Sequence, residues 1–195
     1  MILYRFFKPL TFILFKILFL IRVKGRENIP GNGGFILASN HQSFLDPVLL
    51  GMASPRILRF MARDDLFKPR WFAWLITTLG AFPVKRNKPD KGAIKRTLEL
   101  LRAGEAVLIF PEGTRSRDGD IGEGHPGCIW IARLGNVPLI PAKIDGAFRA
   151  LPVDSIFIRP YPIKVSFGPP FYPQRYSNLR EEEIVEKLME EIRNL

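Results

Sequence analysis

The sequence predicts an α/β fold: a single domain with a largely parallel or mixed sheet flanked by helices. The first observation is that short apolar runs alternate with stretches of helical character over most of the chain. The second is the length of 195 residues, because chains usually split into domains only beyond about 250 residues. An N-terminal amphipathic helical segment, residues 1–30, is expected to precede the main domain, residues 31–195.

The first element is this N-terminal segment, in which charges interrupt the apolar residues. Its longest uncharged run, Pro9–Phe15, is well short of the roughly 18 residues that a membrane-spanning helix needs. Four cations fall within one arc of about 120° on a helical wheel, and apolar residues fill the rest: Arg5, Lys8, Lys16 and Arg22. This pattern is typical of a helix that lies in a membrane interface. A helix packed on the core and a cleaved signal peptide are the alternatives.

The following elements come in alternation. A Pro- and Gly-rich turn before Phe35 predicts the start of the first buried strand. The expected strands are Phe35–Ala38, Ile57–Met61, Gly80–Val84, Ala106–Phe110, Val137–Ile144 and Ile163–Phe167. The expected helices are Pro47–Ala53, Pro69–Leu79, Lys91–Arg102, Cys128–Leu134 and a closing acidic helix over residues 181–194. Ligand sites in such sheets form beyond the carboxyl ends of strands, where His41, Lys85, Arg86 and Glu112 all fall.

The charge and the single cysteine narrow the function classes. The formal net charge of +10 favours anionic partners such as phospholipid headgroups, phosphorylated metabolites or nucleic acid. Nucleic acid is disfavoured because no RNA- or DNA-binding signature accompanies the charge. Cys128 is the only cysteine, so no intramolecular disulfide can form, and a reducing compartment is the simpler interpretation. Two histidines and one thiol are too few for an ordinary zinc site, and no metal is expected.

His41 and Asp46, separated by four residues, are the candidates for chemistry. An imidazole can accept a proton at neutral pH, and a nearby carboxylate can hold the ring and stabilise the imidazolium. The alternative is a histidine satisfied in a turn, with Asp46 only capping the helix that begins at Pro47. A covalent mechanism through Ser43 is disfavoured because no nucleophile elbow is present. Lys85, Arg86 and Arg115 are candidates for gripping phosphate, or else solvated surface cations.

Four segments occur in order along the chain: NHQSFLD (Asn40–Asp46), GAFPVKR (Gly80–Arg86), FPEGTRS (Phe110–Ser116) and VPLIP (Val137–Pro141). Together they resemble the ordered motifs of the glycerolipid acyltransferase family, most closely those of the bacterial 1-acyl-sn-glycerol-3-phosphate acyltransferases. The resemblance covers roughly residues 33–168 and marks residues 31–195 as a catalytic domain. It implies transfer of a fatty acyl group from acyl-CoA or acyl carrier protein, as co-substrate without a cofactor, to the sn-2 hydroxyl of lysophosphatidate, giving phosphatidate.

The resemblance also assigns roles to residues. His41 would be the general base and Asp46 would orient it, while the acceptor would be bound by Lys85, Arg86, Glu112, Gly113, Thr114 and Arg115. Val137–Pro141 would shape the acyl-donor side. One departure is His125, which stands where many relatives carry a lysine; it weakens any transfer of a binding role to that position.

Because the acceptor is a lipid, an amphipathic N-terminal segment would hold the enzyme at the leaflet that contains it. We therefore expect a monotopic or peripheral enzyme on the cytoplasmic face of a membrane. Two alternatives stay open. The acceptor is a different lysolipid, such as a lysophospholipid or a lyso-ornithine lipid, or the chain is a non-catalytic basic membrane-binding module. The sequence does not predict an oligomeric state or an acyl-chain length.

Overall fold

The apolar runs form a seven-stranded sheet in a computed structural model, which describes residues 13–85 and 90–195. The strands are β1 (Arg22–Lys24), β2 (Phe35–Ser39), β3 (Leu58–Arg63), β4 (Ala81–Val84), β5 (Ala106–Ile109), β6 (Leu139–Asp145) and β7 (Lys164–Phe167). Their order across the sheet is β1-β7-β6-β2-β5-β3-β4. The five strands from β6 to β4 are parallel, whereas β7 runs antiparallel to β6 and parallel to β1. The predicted α/β domain with a mixed sheet is confirmed.

The helices agree with the sequence pattern to within one residue at the ends of the longer elements. They are α1 (residues 13–19), α2 (Asp46–Ala53), α3 (Arg70–Thr78), α4 (Lys91–Arg102), α5 (Gly127–Gly135), α6 (Ala147–Ala150) and α7 (Glu181–Arg193). The Asp90 side chain caps α4 by accepting hydrogen bonds from the main-chain N–H groups of Gly92 and Ala93, as an N-cap residue should.

Alternate side chains of β2 divide the core into two layers, because successive residues of a strand point to opposite faces. Phe35 and Leu37 pack with α2, α6 and the buried Phe19 of α1, on what we call the α2 face. Ile36 and Ala38 pack with α4, α5 and α7 on the opposite α4 face. Both layers are fully buried at β2, so this strand is the centre of the molecule and its carboxyl end is held rigidly.

The N-terminal helix ends earlier than the helical wheel assumed. Leu20 has a φ of 46°, and the main-chain N–H of Ile163 donates to the carbonyl of Phe19 at 2.9 Å. The chain then enters β1, so Arg22 lies in a strand and not on the helix. Ile13, Leu14 and Ile17 are exposed, as an interfacial helix requires, while the expectations for Arg5 and Lys8 lie outside the described residues. Over the described ranges, every helix is too short or too polar to cross a bilayer.

Candidate active site

Residues 40–46, which we call the catalytic turn, connect β2 to α2 at the carboxyl edge of the sheet. Asn40 fixes its start, because its side-chain amide donates to the carbonyl of Ile144 at 3.0 Å and its Oδ1 accepts from the Ile144 N–H at 2.8 Å. The buried Asn40 side chain thereby joins β2 to β6 at the point where the turn leaves the sheet. The position of the next residue, His41, follows from that of both strands.

His41 and Asp46 are directly bonded. The Nδ1 of His41 lies 2.8 Å from Oδ2 of Asp46, whose side chain is completely buried. The same Oδ2 accepts the main-chain N–H groups of Gln42 at 2.6 Å and Ser43 at 2.7 Å. Because two main-chain donors already point at Oδ2, this oxygen is arranged as an acceptor, which suits the tautomer with the imidazole proton on Nδ1. Nε2 is then the nitrogen with a free lone pair, and His41 is 16% exposed, so that it borders solvent.

Phe110 fixes the plane of the imidazole. It follows β5, the neighbour of β2, and its ring stacks on His41 with 3.8 Å between centroids and an angle of 11° between planes. The Asp46 bond sets the direction of Nδ1 and the Phe110 ring sets the tilt. Together they leave His41 little rotational freedom, which is the condition for a base that acts in one direction.

Glu112 joins the segment FPEGTRS (Phe110–Ser116) to the catalytic turn. Its Oε1 accepts the N–H of His41 at 2.8 Å, and its Oε2 accepts the N–H of Gly122 at 3.0 Å. Burial raises the pKa of Glu112, and the hydrogen bonds from Gly122 and His41 oppose that rise. A second link runs from the N–H of Ser116 to the carbonyl of His41 at 2.8 Å. Both oxygens of Glu112 are thus used to assemble the site, and its expected contact with the acceptor stays a prediction.

The remaining residues expected at the acceptor site lie toward the surface. Gly113 and Thr114 are exposed, and Gly113 has a φ of 66°, a conformation that favours glycine. Arg115 lies over the ring of Phe44, with 3.5 Å from its guanidinium carbon to the ring centroid. Because Phe44 belongs to the catalytic turn, this contact brings Arg115 to the site.

Lys85 is farther away. It is exposed at the end of β4, three strands from β2, or about 14 Å at the usual strand spacing. Its main-chain N–H donates to Oδ2 of Asp90 at 2.9 Å. Arg86, the other cation predicted for this site, lies outside the described residues.

The surroundings of three further residues bear on what chemistry they could do. The Ser43 hydroxyl donates to the carbonyl of Leu151 at 2.8 Å and is buried, which does not suit a nucleophile. Burial raises the pKa of the Cys128 thiol to about 12, so it carries no thiolate at neutral pH. His125 is exposed, and a Cβ built on Gly113 would lie 3.3 Å from its ring, which places this histidine beside the segment FPEGTRS.

A cavity of about 670 Å³ opens next to the catalytic turn, a size within the range of small-molecule sites. It is lined by Gln42 of the turn and, among others, by Gly119, Arg149 and Lys164. Among residues 13–85 and 90–195, no three His, Cys, Asp or Glu side chains are grouped so that they could hold a metal ion.

Sequence reasoning missed the assembling contacts, such as Asn40 with Ile144 and Gln42 with Gly119. Their partners lie far along the chain and are main-chain groups, which carry no residue-specific signal. The sequence predicts Glu112 at the acceptor site but not its hydrogen bond from the His41 N–H, because that partner is also a main-chain group.

Comparisons with known proteins identify the family to which the chain is similar. The family described as Acyltransferase matches residues 20–145, which include all four of the segments NHQSFLD, GAFPVKR, FPEGTRS and VPLIP. A 1-acyl-sn-glycerol-3-phosphate acyltransferase of Bacillus subtilis is 37% identical over 128 residues, covering 65% of this chain and 63% of that protein. The chloroplastic 1-acyl-sn-glycerol-3-phosphate acyltransferase LPAT1 of Arabidopsis thaliana is 33% identical over 138 residues, or 69% of this chain and 38% of that protein.

A solved structure is similar over most of the fold. The crystal structure of the 1-acyl-sn-glycerophosphate (LPA) acyltransferase PlsC from Thermotoga maritima matches with a TM-score of 0.77 and 30% sequence identity. The match covers 89% of this chain and 70% of that one. The chain thus spans less than two thirds of the two relatives described above and rather more of the solved structure.

Proposed function

The chain belongs to the Acyltransferase family, and we propose that it moves a fatty acyl group from acyl-CoA or acyl carrier protein to the sn-2 hydroxyl of 1-acylglycerol-3-phosphate, giving phosphatidate. The observation that carries the proposal is the bond from Nδ1 of His41 to the buried Asp46 carboxylate. That bond leaves Nε2 as a fixed proton acceptor. The names of the similar proteins supply the substrate class.

The reaction begins when Nε2 of His41 accepts the proton of the sn-2 hydroxyl. The hydroxyl oxygen attacks the thioester carbonyl, and the carbonyl oxygen takes the electron pair of the broken π bond. When the carbonyl re-forms, the C–S bond breaks and the thiolate leaves with the electron pair. The imidazolium returns its proton to that sulfur, so the free thiol and the new ester are produced and His41 is neutral again.

Asp46 acts through His41 and does not touch the substrate. Its carboxylate stabilises the imidazolium that forms during attack, while the N–H groups of Gln42 and Ser43 hold the carboxylate in position. A positioned base of this kind contributes about 10²- to 10⁴-fold in rate. Positioning of the two substrates supplies much of the remainder.

The acceptor phosphate would be bound by the cations at the strand ends. Arg115 is the best placed, because its contact with Phe44 holds it beside the catalytic turn. Lys85 and Arg86 would approach the phosphate from the end of β4. The exposed apolar residues of α1 support a monotopic attachment to the leaflet that contains the acceptor.

A different lysolipid is the second candidate acceptor. It is favoured by His125, which occupies the place of the family's usual lysine and lies against Gly113. An imidazole lacks the long, flexible ammonium group of a lysine, so a less anionic headgroup would suit this position better.

The test uses the two histidines of the chain as a matched pair. Purified His41→Ala, His125→Ala and the unaltered protein are incubated with labelled acyl-CoA and acyl carrier protein and a panel of lysolipids. We expect His41→Ala to lose about 10²- to 10⁴-fold in turnover with every acceptor, and His125→Ala to change acceptor preference only. Unchanged turnover in His41→Ala would contradict the base assignment, and preference for a lysophospholipid or lyso-ornithine lipid would correct the acceptor.

A further inference from the structure

Exposed apolar side chains are distributed unequally between the two faces of the sheet. The α4 face has Trp130, 41% exposed, and Leu134, 49% exposed, both on α5, and Tyr172, 39% exposed, next to the buried Phe171. The helices and loops of the α2 face expose many more. These include Ile13, Leu14 and Ile17 on α1, Phe44 and Val48 at the start of α2, and Ile156, Phe157 and Ile158 after α6.

Helix α3 belongs to the same α2 face. In the sheet, α2 connects β2 to β3 in the direction of the β4 edge and packs on the α2 face, whereas α4 and α5 lead in the opposite direction and pack on the α4 face. This is the right-handed crossover rule. The connection from β3 to β4 runs in the same direction as that of α2, so the rule assigns α3 to the α2 face.

The composition of α3 suits an interface between water and lipid. None of its side chains is buried, and Trp71 and Trp74 are 72% and 63% exposed. Residues three apart lie on the same side of a helix, so the two indoles form one patch. The exposed cations Lys68 and Arg70 come directly before it. Indole rings are favoured at the headgroup level, and cations there attract anionic lipids.

We propose that α3 is a second contact with an anionic lipid bilayer, separate from the N-terminal segment. The exposed apolar residues of α1, of α3 and of residues 156–158 lie on one face but are separated from one another. We infer that the partner is a bilayer because a broad, deformable surface can contact all three groups at once. The positive charge beside the indoles matches anionic headgroups.

The consequence of the second contact is orientation. A single N-terminal attachment lets the domain turn about it, whereas two attachments at opposite edges of the sheet fix the catalytic turn relative to the membrane. Phe44, 57% exposed, lies in that turn and on the α2 face. The entrance to His41 would therefore be held at the bilayer surface. This inference depends on the proposed function only for which lipid the site would accept.

The first experiment measures binding of the full chain to phosphatidylcholine vesicles with and without phosphatidylglycerol. The variant Trp71→Ser/Trp74→Ser is compared with Trp130→Ser, which removes the exposed indole of the opposite face. We expect at least about a tenfold lower partition coefficient for the double variant and little change for the control. Unchanged binding of the double variant, or an equal loss in Trp130→Ser, would overturn the proposal.

The three tryptophans also report their own location. Trp130→Phe leaves only the α3 indoles, and Trp71→Phe/Trp74→Phe leaves only Trp130. With brominated lipids in the vesicles, fluorescence of the first variant should be quenched and shifted to shorter wavelength, and that of the second should not. Quenching of Trp130 alone would place the α4 face on the membrane, and unquenched α3 indoles would assign the patch to a protein contact; either result overturns the proposal.

An activity assay separates this inference from the proposed function. Trp71→Ser/Trp74→Ser should retain turnover with a short-chain lysophosphatidate dispersed as monomers and lose turnover with acceptor embedded in vesicles. If the unaltered protein transfers no acyl group but its α3 indoles are quenched, the function fails and the membrane contact stands. Equal loss with dispersed and embedded acceptor would contradict a role of α3 in membrane contact.

Discussion

The catalytic turn and the acceptor rim, the latter comprising Lys85, Thr114 and Arg115, differ in how far the fold uses their polar groups. In the catalytic turn, the Asn40 amide, the Ser43 hydroxyl and one Asp46 oxygen are all hydrogen-bonded inside the protein. In the acceptor rim, Lys85 and Thr114 are exposed, and Arg115 lies over the Phe44 ring. The groups proposed to react are therefore held by the fold itself, whereas Lys85 and Thr114, which would bind the lipid headgroup, face solvent and Arg115 is half-buried.

The largest expected effect is that of Asp46→Asn in the catalytic turn. The asparagine oxygen can still accept the N–H groups of Gln42 and Ser43, but the neutral amide no longer stabilises a charged imidazole. We expect turnover to fall by about 10²- to 10⁴-fold with little change in KM. Steady-state kinetics check this, with the exposed Asp154→Asn as control. A change in KM alone would mean that Asp46 affects acceptor binding and not the chemical step. It would contradict the distinction between the catalytic turn and the acceptor rim.

Glu112→Gln comes next, because it disturbs the connection between the two motifs. Both oxygens of Glu112 accept a main-chain N–H, one from His41 and one from Gly122. A glutamine has only one side-chain oxygen, so its NH2 group would face one of these N–H donors and that hydrogen bond would be lost. An unsatisfied donor costs about 1–3 kcal/mol in the free energy of unfolding where it is fully buried, and we expect a smaller cost here because both N–H groups are only part-buried. Urea denaturation measures that cost. Unaltered stability together with impaired use of acceptor would instead place Glu112 in the rim.

The same variant tests the sign of the pH dependence. Burial raises the pKa of Glu112, so ionising it is harder in the folded protein than in the unfolded chain. Its favourable contribution is present below the ordinary pKa of a glutamate and is lost as the pH rises through the raised value. The stability of the unaltered protein relative to Glu112→Gln should therefore decline over that pH range. Parallel stability curves would contradict the raised pKa.

The smallest expected effect is that of Arg115→Ala in the acceptor rim. Loss of one charge-assisted contact with phosphate should raise the KM for lysophosphatidate about tenfold, equivalent to about 1.4 kcal/mol, and leave turnover nearly unchanged. Arg115→Lys keeps the charge and should restore part of the binding. An equal loss with a neutral acceptor would show that Arg115 acts through Phe44 and the catalytic turn, and would remove the distinction between the two regions.

The sequence predicted those parts of the fold that depend on local patterns. The run Ala106–Phe110 is continuously apolar and the helix Lys91–Arg102 is periodic, and the structure has a strand over Ala106–Ile109 and a helix over Lys91–Arg102. Strand β1 consists of Arg22, Val23 and Lys24. It was not predicted because these residues form no apolar run. The antiparallel direction of β7 was equally invisible, because strand direction depends on the path of the connection and not on the residues of the strand.

The candidate site divides in the same way. His41 and Asp46 are near neighbours in the chain, so their bond could be expected from spacing and from the family resemblance. The bond from His41 to Glu112 crosses 71 positions and that from Asn40 to Ile144 crosses 104. Both use main-chain atoms that every residue possesses. The family and the fold are confirmed, while the roles of His41, Asp46 and the acceptor residues stay predictions.

Asn40 has a consequence for how the protein fails on heating. Its carboxamide makes the two hydrogen bonds of an extra rung between β2 and β6, directly beneath the histidine. The imidazole therefore cannot drift from its place while the central strands remain paired. Heat inactivation and unfolding of the sheet should consequently occur at the same temperature. We expect no intermediate in which the sheet is folded and the site around His41 is disordered.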